Sequence, residues 1–425
     1  MSLLVISPDF ASHYGPLAVI AGAARDAGQR VVVATGLNLR QRVEADGFEW
    51  RLLRLGAGSN TGVAVNDPTL DRFIAATAAG PVATMRRQAL DRERDLLWRP
   101  EQVATEVARL CDEIEPERVI VDHVSFASTL AMYATERPFV TLVPGHPSQL
   151  PVGPERYGVP ATWPLRIRPD PHQLAELDRL VDRVTRVFTE RWNAALATVA
   201  PDRPAVSDAF RVHGDTVLYN STLEMQAPSR MMTLPEDHRF VGPLVRHEQL
   251  PTELSTWATR RDDRPQVYVA LGTFLSHRSD VLARIAEALR HLDVRAAIAT
   301  GATSVDRFGD LPDDWLIAPQ LPQVAMLRTA DMIVHHGGNN SVQEALATGV
   351  RQLVLPFSTD QFSNAADLER IGGAQVLSPN EASAADLALA IDVGLDSIPP
   401  PATEAPAPER LVDAAFGPLR ERSTS

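Results

Sequence analysis

The chain has 425 residues, 44% of them apolar, and a formal net charge of −13. That length exceeds what one hydrophobic core usually fills, so two α/β domains of roughly 200 residues each are expected. The acidic balance, set against arginine alone because the chain has no lysine, argues against nucleic acid or an anionic membrane as the main partner.

A single cysteine, Cys111, excludes an internal disulfide and fits a reducing compartment. Its place in the apolar pattern of Val103, Val107 and Leu110 marks it as core. No stretch is apolar for long enough to cross a bilayer, and no charged segment precedes an apolar run at the start. A cytoplasmic chain with no stable membrane insertion is therefore expected.

The run Leu3-Leu4-Val5-Ile6 reads as a short buried strand, followed by a loop to Pro16, a helix over 17–27 closed by Gly28, and a strand over 31–34. This β-α-β start lacks the G-x-G-x-x-G turn that holds a dinucleotide, which weakens a dehydrogenase reading. In its place stands Ser12-His13-Tyr14-Gly15-Pro16. A histidine at the carboxyl edge of a first strand, with a reference pKa near working pH, suits proton abstraction from a hydroxyl. An exposed or capping histidine is the plainer alternative.

After a helical pattern over 102–114 comes Val119-Ile120-Val121-Asp122-His123. A carboxylate at that strand end can orient a histidine on the neighbouring strand's loop. Asp122 equally suits a cap for a helix starting near Ser125 or Ala127. Residues 56–66 read as loop, 68–98 as broken helical patterns, 139–144 as strand, and 146–171 as Pro-rich loop. By location alone, Trp98, Phe126, His146, Tyr157 and Trp163 are candidates for an acceptor pocket, and each aromatic among them equally suits core.

Residues 217–219 and 240–244 bring the first half to a close, and 246–264 are polar and charged. The expected organisation is a first domain over 1–245, a linker over 246–262, a second domain over 263–408, and a closing helix over 409–425. The second domain opens with a strand over 266–271 and then Gly272-Thr273, a hydroxyl placed to donate to a phosphate oxygen. In Ala318-Pro319-Gln320-Leu321-Pro322-Gln323, the two glutamines compete for one place.

The strand Met332–Val334 breaks at His335-His336-Gly337-Gly338-Asn339-Asn340-Ser341, and a helical pattern of Val342, Ala345 and Leu346 follows. A strand, a Gly-rich turn and a helix start make an anion site, because backbone N–H groups and the positive helix end face the charge. Ser341 also suits an N-cap, with Glu344 three residues on as in a capping box. A strand over 352–356 then runs into Ser358-Thr359-Asp360-Gln361, whose acid and amide suit ligand hydroxyls.

His336, Gly338, Asn340, Ser341 and Glu344, with Asp360-Gln361 sixteen residues after that glutamate, resemble the donor signature of one enzyme family. It is family 1, the inverting NDP-sugar-dependent glycosyltransferases of the GT-B class. Asn339 stands where plant relatives carry tryptophan, as in many bacterial antibiotic-tailoring members. His13 and Pro16 keep the spacing of the family's Gly-His-x-x-Pro segment, with Ser12 in place of the glycine. The resemblance implies two Rossmann-like domains whose parallel sheets face each other across a cleft, an N-terminal acceptor-binding one over 1–245 and a donor-binding one over 263–408, with the helix over 409–425 packing back on the first. It implies His13 as base and Asp122 as its partner. It places Gly272, Thr273, His336, Gly337, Gly338, Asn340 and Ser341 around the donor diphosphate, Glu344 on the ribose, and Asp360 with Gln361 on the sugar. Residues 315–323 resemble the loop that packs on the nucleobase.

The implied reaction moves a hexose from an NDP-α-sugar, UDP- or dTDP-linked, to a hydroxyl of a small natural-product aglycone, giving a β-glycoside. Asp360-Gln361 leans towards glucose over a deoxygenated sugar. No cofactor beyond the NDP-sugar co-substrate is implied, and no divalent metal, as the chain has no Asp-x-Asp segment. The expected assembly is a monomer or homodimer. Two alternatives share these features. A nucleotide-sugar 2-epimerase would need several carboxylates around the sugar and no acceptor pocket. A non-catalytic sugar-nucleotide binder would have no use for His13 and Asp122.

Overall fold

The computed structural model describes residues 2–56, 68–260 and 263–417. Residues 57–66 of the expected loop, 261–262 of the expected linker and 418–425 of the expected end helix lie outside the described residues. The first sheet holds β1 (Ser2–Ile6), β2 (Arg30–Thr35), β3 (Glu49–Leu52), β4 (Arg118–Asp122), β5 (Val140–Val143), β6 (Thr216–Tyr219) and β7 (His238–Phe240). The second holds β8 (Gln266–Ala270), β9 (Arg295–Ala299), β10 (Leu316–Ala318), β11 (Met332–His335), β12 (Arg351–Val354) and β13 (Ala374–Val376). The orders are β3-β2-β1-β4-β5-β6-β7 and β10-β9-β8-β11-β12-β13, and the neighbouring strands pair in parallel.

The strands are apolar without alternation because both faces are covered. On one face Leu4 and Ile6 pack with Val32, Ala34 and Val121; on the other Leu3 and Val5 pack with Val31, Val33 and Ile120. The residues that follow β1 and β4 emerge side by side, since Ile6 pairs with Val121. Here the strand order reverses, with β2 and β3 on one side and β4 to β7 on the other. The second sheet reverses in the same way between β8 and β11, where Ala270 pairs with His335. Such switch points open a crevice at the carboxyl ends of the strands, and each of the two halves has one.

Two expectations are corrected. The first helix runs over Ala11–Asp26, so Ser12 to Pro16 form its opening turns rather than a loop. The stretch read as a polar linker contains the helix Thr252–Thr259. Its Trp257 and Ala258 join Tyr268, Ile333 and Val350 in the core of the second sheet, and Gln266 Nε2 donates to the Ala258 carbonyl at 3.1 Å.

Near the end of the described chain, the helix Pro408–Phe416 returns to the first sheet. Its Leu411, Ala414 and Ala415 pack with Leu17 and Ile20 of the first helix, and Arg118 Nη2 donates to the Phe416 carbonyl at 3.3 Å. Cys111 is buried in the first core, its thiol pushed up to about 11 by that burial. No helix among the described residues is long and apolar enough to cross a membrane.

Candidate active site

At the first switch point, His13 Nδ1 donates to Asp122 Oδ2 at 2.8 Å, which leaves Nε2 as the free lone pair. Asp122 is fully buried, and its Oδ1 accepts from the Val124 backbone N–H at 3.0 Å. One oxygen thus closes the turn at Val124 and the other holds the histidine; the helix Phe126–Ala134 has Ser125 at its N-cap and no side-chain cap, so the capping reading of Asp122 is corrected. Burial of Asp122 favours its neutral form, but the charge and hydrogen bond of His13, with His123 Nδ1 3.6 Å away, outweigh this and hold it well below the usual carboxylate range. Burial pulls the His13 pKa down, while the Asp122 charge, their hydrogen bond and the Asp360 charge together raise it.

At the second switch point the paired histidines divide their work. His335 is fully buried: Nε2 donates to Gln352 Oε1 at 3.0 Å and Nδ1 accepts from the Gly337 backbone N–H at 3.2 Å. It fixes the turn. The His336 ring lies between two glycines, where a Cβ on Gly272 would come to 2.9 Å from it and one on Gly338 to 2.4 Å. Its Nδ1 is buried without a hydrogen-bond partner, and burial pushes its pKa down to about 4, so the ring is neutral near pH 7. Gly337, with φ of +83° and Val354 2.9 Å from the position of its missing Cβ, has room for no side chain. Gly272 and Thr273 are exposed just after β8.

The helix after this turn spans Asn339–Thr348 with Gly338 at its N-cap, so Ser341 is its third residue and not its cap. Ser341 Oγ instead accepts from Gln323 Nε2 at 3.1 Å, and the same amide donates to Glu344 Oε2 at 2.6 Å. Gln323, not the exposed Gln320, thus joins the expected ribose site. Burial raises the Glu344 pKa, opposed by Gln323 and by the charge of Arg246. The capping box lies further on, where Gln361 Oε1 accepts from the N–H groups of Phe357 and Ser358 at 2.9 and 3.2 Å. That oxygen is committed to the helix start, which leaves the Asp360 carboxylate as the neighbouring acceptor. Burial raises the Asp360 pKa, opposed by His146, Thr359 and His13.

The two halves touch through the same turn. Pro16 has no N–H to offer the Ser12 carbonyl four residues back, and that carbonyl accepts from Asn340 Nδ2 at 2.8 Å. Asn340 Oδ1 accepts from Asn220 at 3.3 Å, so the side chain expected at the diphosphate is engaged across the cleft. Asn339 Nδ2 donates to the carbonyls of Pro144 and Asn220 at 2.8 and 2.7 Å. Neither Asn220 nor Asn339 was assigned a role by the sequence; only their places, just after β6 and just after the Gly-rich turn, hinted at one.

A cavity of about 430 Å³ opens beside His13, with Phe10, Tyr157, Phe274 and Asp360 among its walls. Phe10 lies 5.7 Å from the His13 ring. Of the five acceptor candidates, Tyr157 lines this cavity, stacked on Phe210 at 4.2 Å. The other four are elsewhere. Phe126 is 2% exposed in the aromatic core with Phe188 and Phe210. Trp98 packs against the same core. Trp163 stands on Phe362 at 5.0 Å. His146 is buried with both ring nitrogens engaged, Nδ1 by Ser148 at 2.8 Å and Nε2 by Asp367 of the second half at 2.9 Å. Further walls come from helices Pro68–Ala79 and Pro81–Leu96, through Leu70, Phe73, Arg92 and Leu96, which the broken patterns of 68–98 did not single out.

Among the described residues, His213, Asp237 and His238 bring three possible metal-ligand atoms within 4.8 Å of one another. They stand at the starts of β6 and β7, on the sheet edge opposite the one that carries Asp122, and so lie apart from this site.

A family model described as "UDP-glucoronosyl and UDP-glucosyl transferase" matches residues 118–397, a span that includes Asp122 and the His336 turn but not His13. An uncharacterized UDP-glucosyltransferase, YdhE, of Bacillus subtilis is 30% identical over 36% of this chain and 38% of its own length. A demethyllactenocin mycarosyltransferase of Streptomyces fradiae is 29% identical over 36% of this chain and 33% of its own. The chain thus spans well under half the length of these curated relatives.

Among solved structures, the glycotransferase of kitacinnamycin aligns with a TM-score of 0.69 at 18% identity, covering 97% of this chain and 94% of that one. The glycosyltransferase VinC, solved in complex with dTDP, aligns at 0.64 and 19%, covering 98% and 93%. These likenesses show the two-domain GT-B fold. With the family model matched over residues 118–397, more than half of the chain, the chain belongs to the UDP-glucoronosyl and UDP-glucosyl transferase family.

Proposed function

We propose that this protein is an inverting, metal-independent glycosyltransferase. It moves a hexose from a UDP- or dTDP-α-sugar to a hydroxyl of a small, largely apolar aglycone and gives a β-glycoside. The observation that carries the reading is the His13–Asp122 pair at 2.8 Å, with His13 one residue from the carbonyl that meets the Gly-rich turn of the other domain.

The acceptor hydroxyl lies against His13 Nε2. As its oxygen forms the bond to the anomeric carbon, the proton passes to Nε2 and Asp122 stabilises the resulting imidazolium. The bond from the anomeric carbon to the diphosphate breaks on the opposite face, and the electron pair leaves on the diphosphate oxygen. Thr273, His336 and the free N–H groups at the start of helix Asn339–Thr348 receive that charge. Glu344, steadied by Gln323, takes the ribose hydroxyls, and Asp360 takes the sugar hydroxyls. Domain closure through Asn339 and Asn340 excludes water from the donor.

The test is turnover of UDP- and dTDP-sugars against phenolic and macrolide acceptors, comparing wild type with His13→Ala. Acceptor-dependent release of nucleoside diphosphate, lost in the variant while donor binding persists, is expected. Turnover that survives His13→Ala removes the proposed base, and acceptor-free change at sugar C2 moves the reading to an epimerase.

A further inference from the structure

One charged side chain in the cavity beside His13 has no part in the chemistry above. Arg92, on helix Pro81–Leu96, lines that cavity and is 5% exposed. Its Nη1 is buried without a hydrogen-bond partner, and no carboxylate pairs with the guanidinium among the described residues. Its neighbour is the face of Tyr157, 4.9 Å from the guanidinium carbon.

The other charges of the wall are accounted for. Arg87 Nε donates to Asp91 Oδ2 at 2.6 Å, so those two cancel. Asp360 lies in the fields of His146 and His13. Arg92 is left over. Taking a cation out of water without a counter-charge is costly, and stacking on one ring returns only part of that cost. Burial weakens its hold on the proton, to a pKa of about 10, yet the group stays charged near neutral pH. Space is also reserved for it. A Cβ on Gly158, which has φ of +69°, would come within 1.9 Å of Nη2.

A buried cation facing a cavity with Phe73, Leu96, Tyr157 and Phe274 in its walls describes the missing ligand: an apolar frame with one anionic group. A planar carboxylate meets a guanidinium through two parallel hydrogen bonds. We propose that Arg92 selects acceptors that carry a carboxylate on an otherwise apolar frame, the reacting hydroxyl lying at the other end against His13. This rests on the transferase reading above. Arg92 binds and orients the acceptor; it takes no proton.

The experiment uses the full chain, UDP-glucose and dTDP-glucose as donors, and 4-hydroxycinnamate against its methyl ester as acceptors, with wild type and Arg92→Met. The wild type is expected to favour the acid by about tenfold or more in kcat/KM. In Arg92→Met that ratio collapses towards parity, while UDP binding measured by calorimetry holds. The acceptor-free thermal midpoint of the variant stays level or rises, because an uncompensated buried charge is gone. A wild type that takes the ester as readily as the acid overturns the proposal, as does a variant that keeps the preference. If neither acceptor is turned over, the transferase reading is what fails. Calorimetric binding of 4-hydroxycinnamate then still decides for Arg92: binding lost in Arg92→Met supports the anion site, and binding unchanged overturns it.

Discussion

Replacing Asp122 by asparagine keeps the shape of its contact with His13 and removes the charge. At 2.8 Å, with an effective dielectric constant of about 20, Coulomb's law gives a gross attraction on the order of 6 kcal/mol for the imidazolium. Desolvation of the buried pair takes back part of that. A loss of about 3–5 kcal/mol from the transition state, or about 10²–10⁴-fold in kcat, is therefore expected. The pH profile gives an independent sign. Burial alone lowers the His13 pKa, and Asp122 is the main influence that lifts it above 6.5. The acid limb of kcat/KM should lie above pH 6.5 in the wild type and below it in Asp122→Asn.

Stability follows the same pair. The raised His13 pKa contributes stability that is fully present below 6.5 and fades as pH rises through the folded value. The lowered Asp122 pKa contributes stability above 3.8 that is lost as pH falls through the folded value. The wild type's advantage in thermal midpoint over Asp122→Asn should accordingly peak between those two values. Initial rates and thermal midpoints across this range check both. An acid limb that does not move, or a kcat within about threefold of wild type, would refute the role of Asp122.

Other outcomes follow from the same geometry. Gly337→Ala, strained at φ +83°, should lower stability by about 1–3 kcal/mol, seen as a lower midpoint in chemical denaturation. Gly338→Ala, at φ −60°, should fold normally but displace the His336 ring and weaken UDP binding about tenfold, read by calorimetry. Asn339→Ala leaves the buried carbonyl of Asn220 without its donor, and that of Pro144 with only the longer bond from Asn220 Nδ2 at 3.4 Å. It should cost the closed arrangement about 1–3 kcal/mol and enlarge the radius of gyration in small-angle scattering. His336 is neutral near pH 7, and a bound diphosphate raises its pKa. UDP should therefore bind more tightly as pH falls towards 6, with proton uptake visible in buffers of different ionisation enthalpy.

The Gly-rich turn of the second half was legible because its residues lie in one stretch. His336, Gly338, Glu344 and Asp360 are set by the interval between consecutive strands and helices, and the two switch points turn that interval into a site. The choice between Gln320 and Gln323 needed coordinates, since only Gln323 reaches Ser341 and Glu344. His13 was identified by type and place, but Gly15-Pro16 read as breakers, whereas the helix accepts a proline near its start. The acceptor wall was the least legible. A strand-end position does not say which way a side chain turns, so Phe126 went to core and His146 to the other domain. Arg92 carries no motif; what marks it is the partner it lacks.

The helix Pro408–Phe416 closes the face of the first sheet that also carries the His13 helix. Its residues leave the ribosome after both sheets have been made, so the apolar surface of Leu17, Ile20 and Val31 waits uncovered through most of synthesis. The half that is translated first is the half completed last. Where long chains usually mature domain by domain, this face of the first half reaches its final packing only once Leu411 has been made.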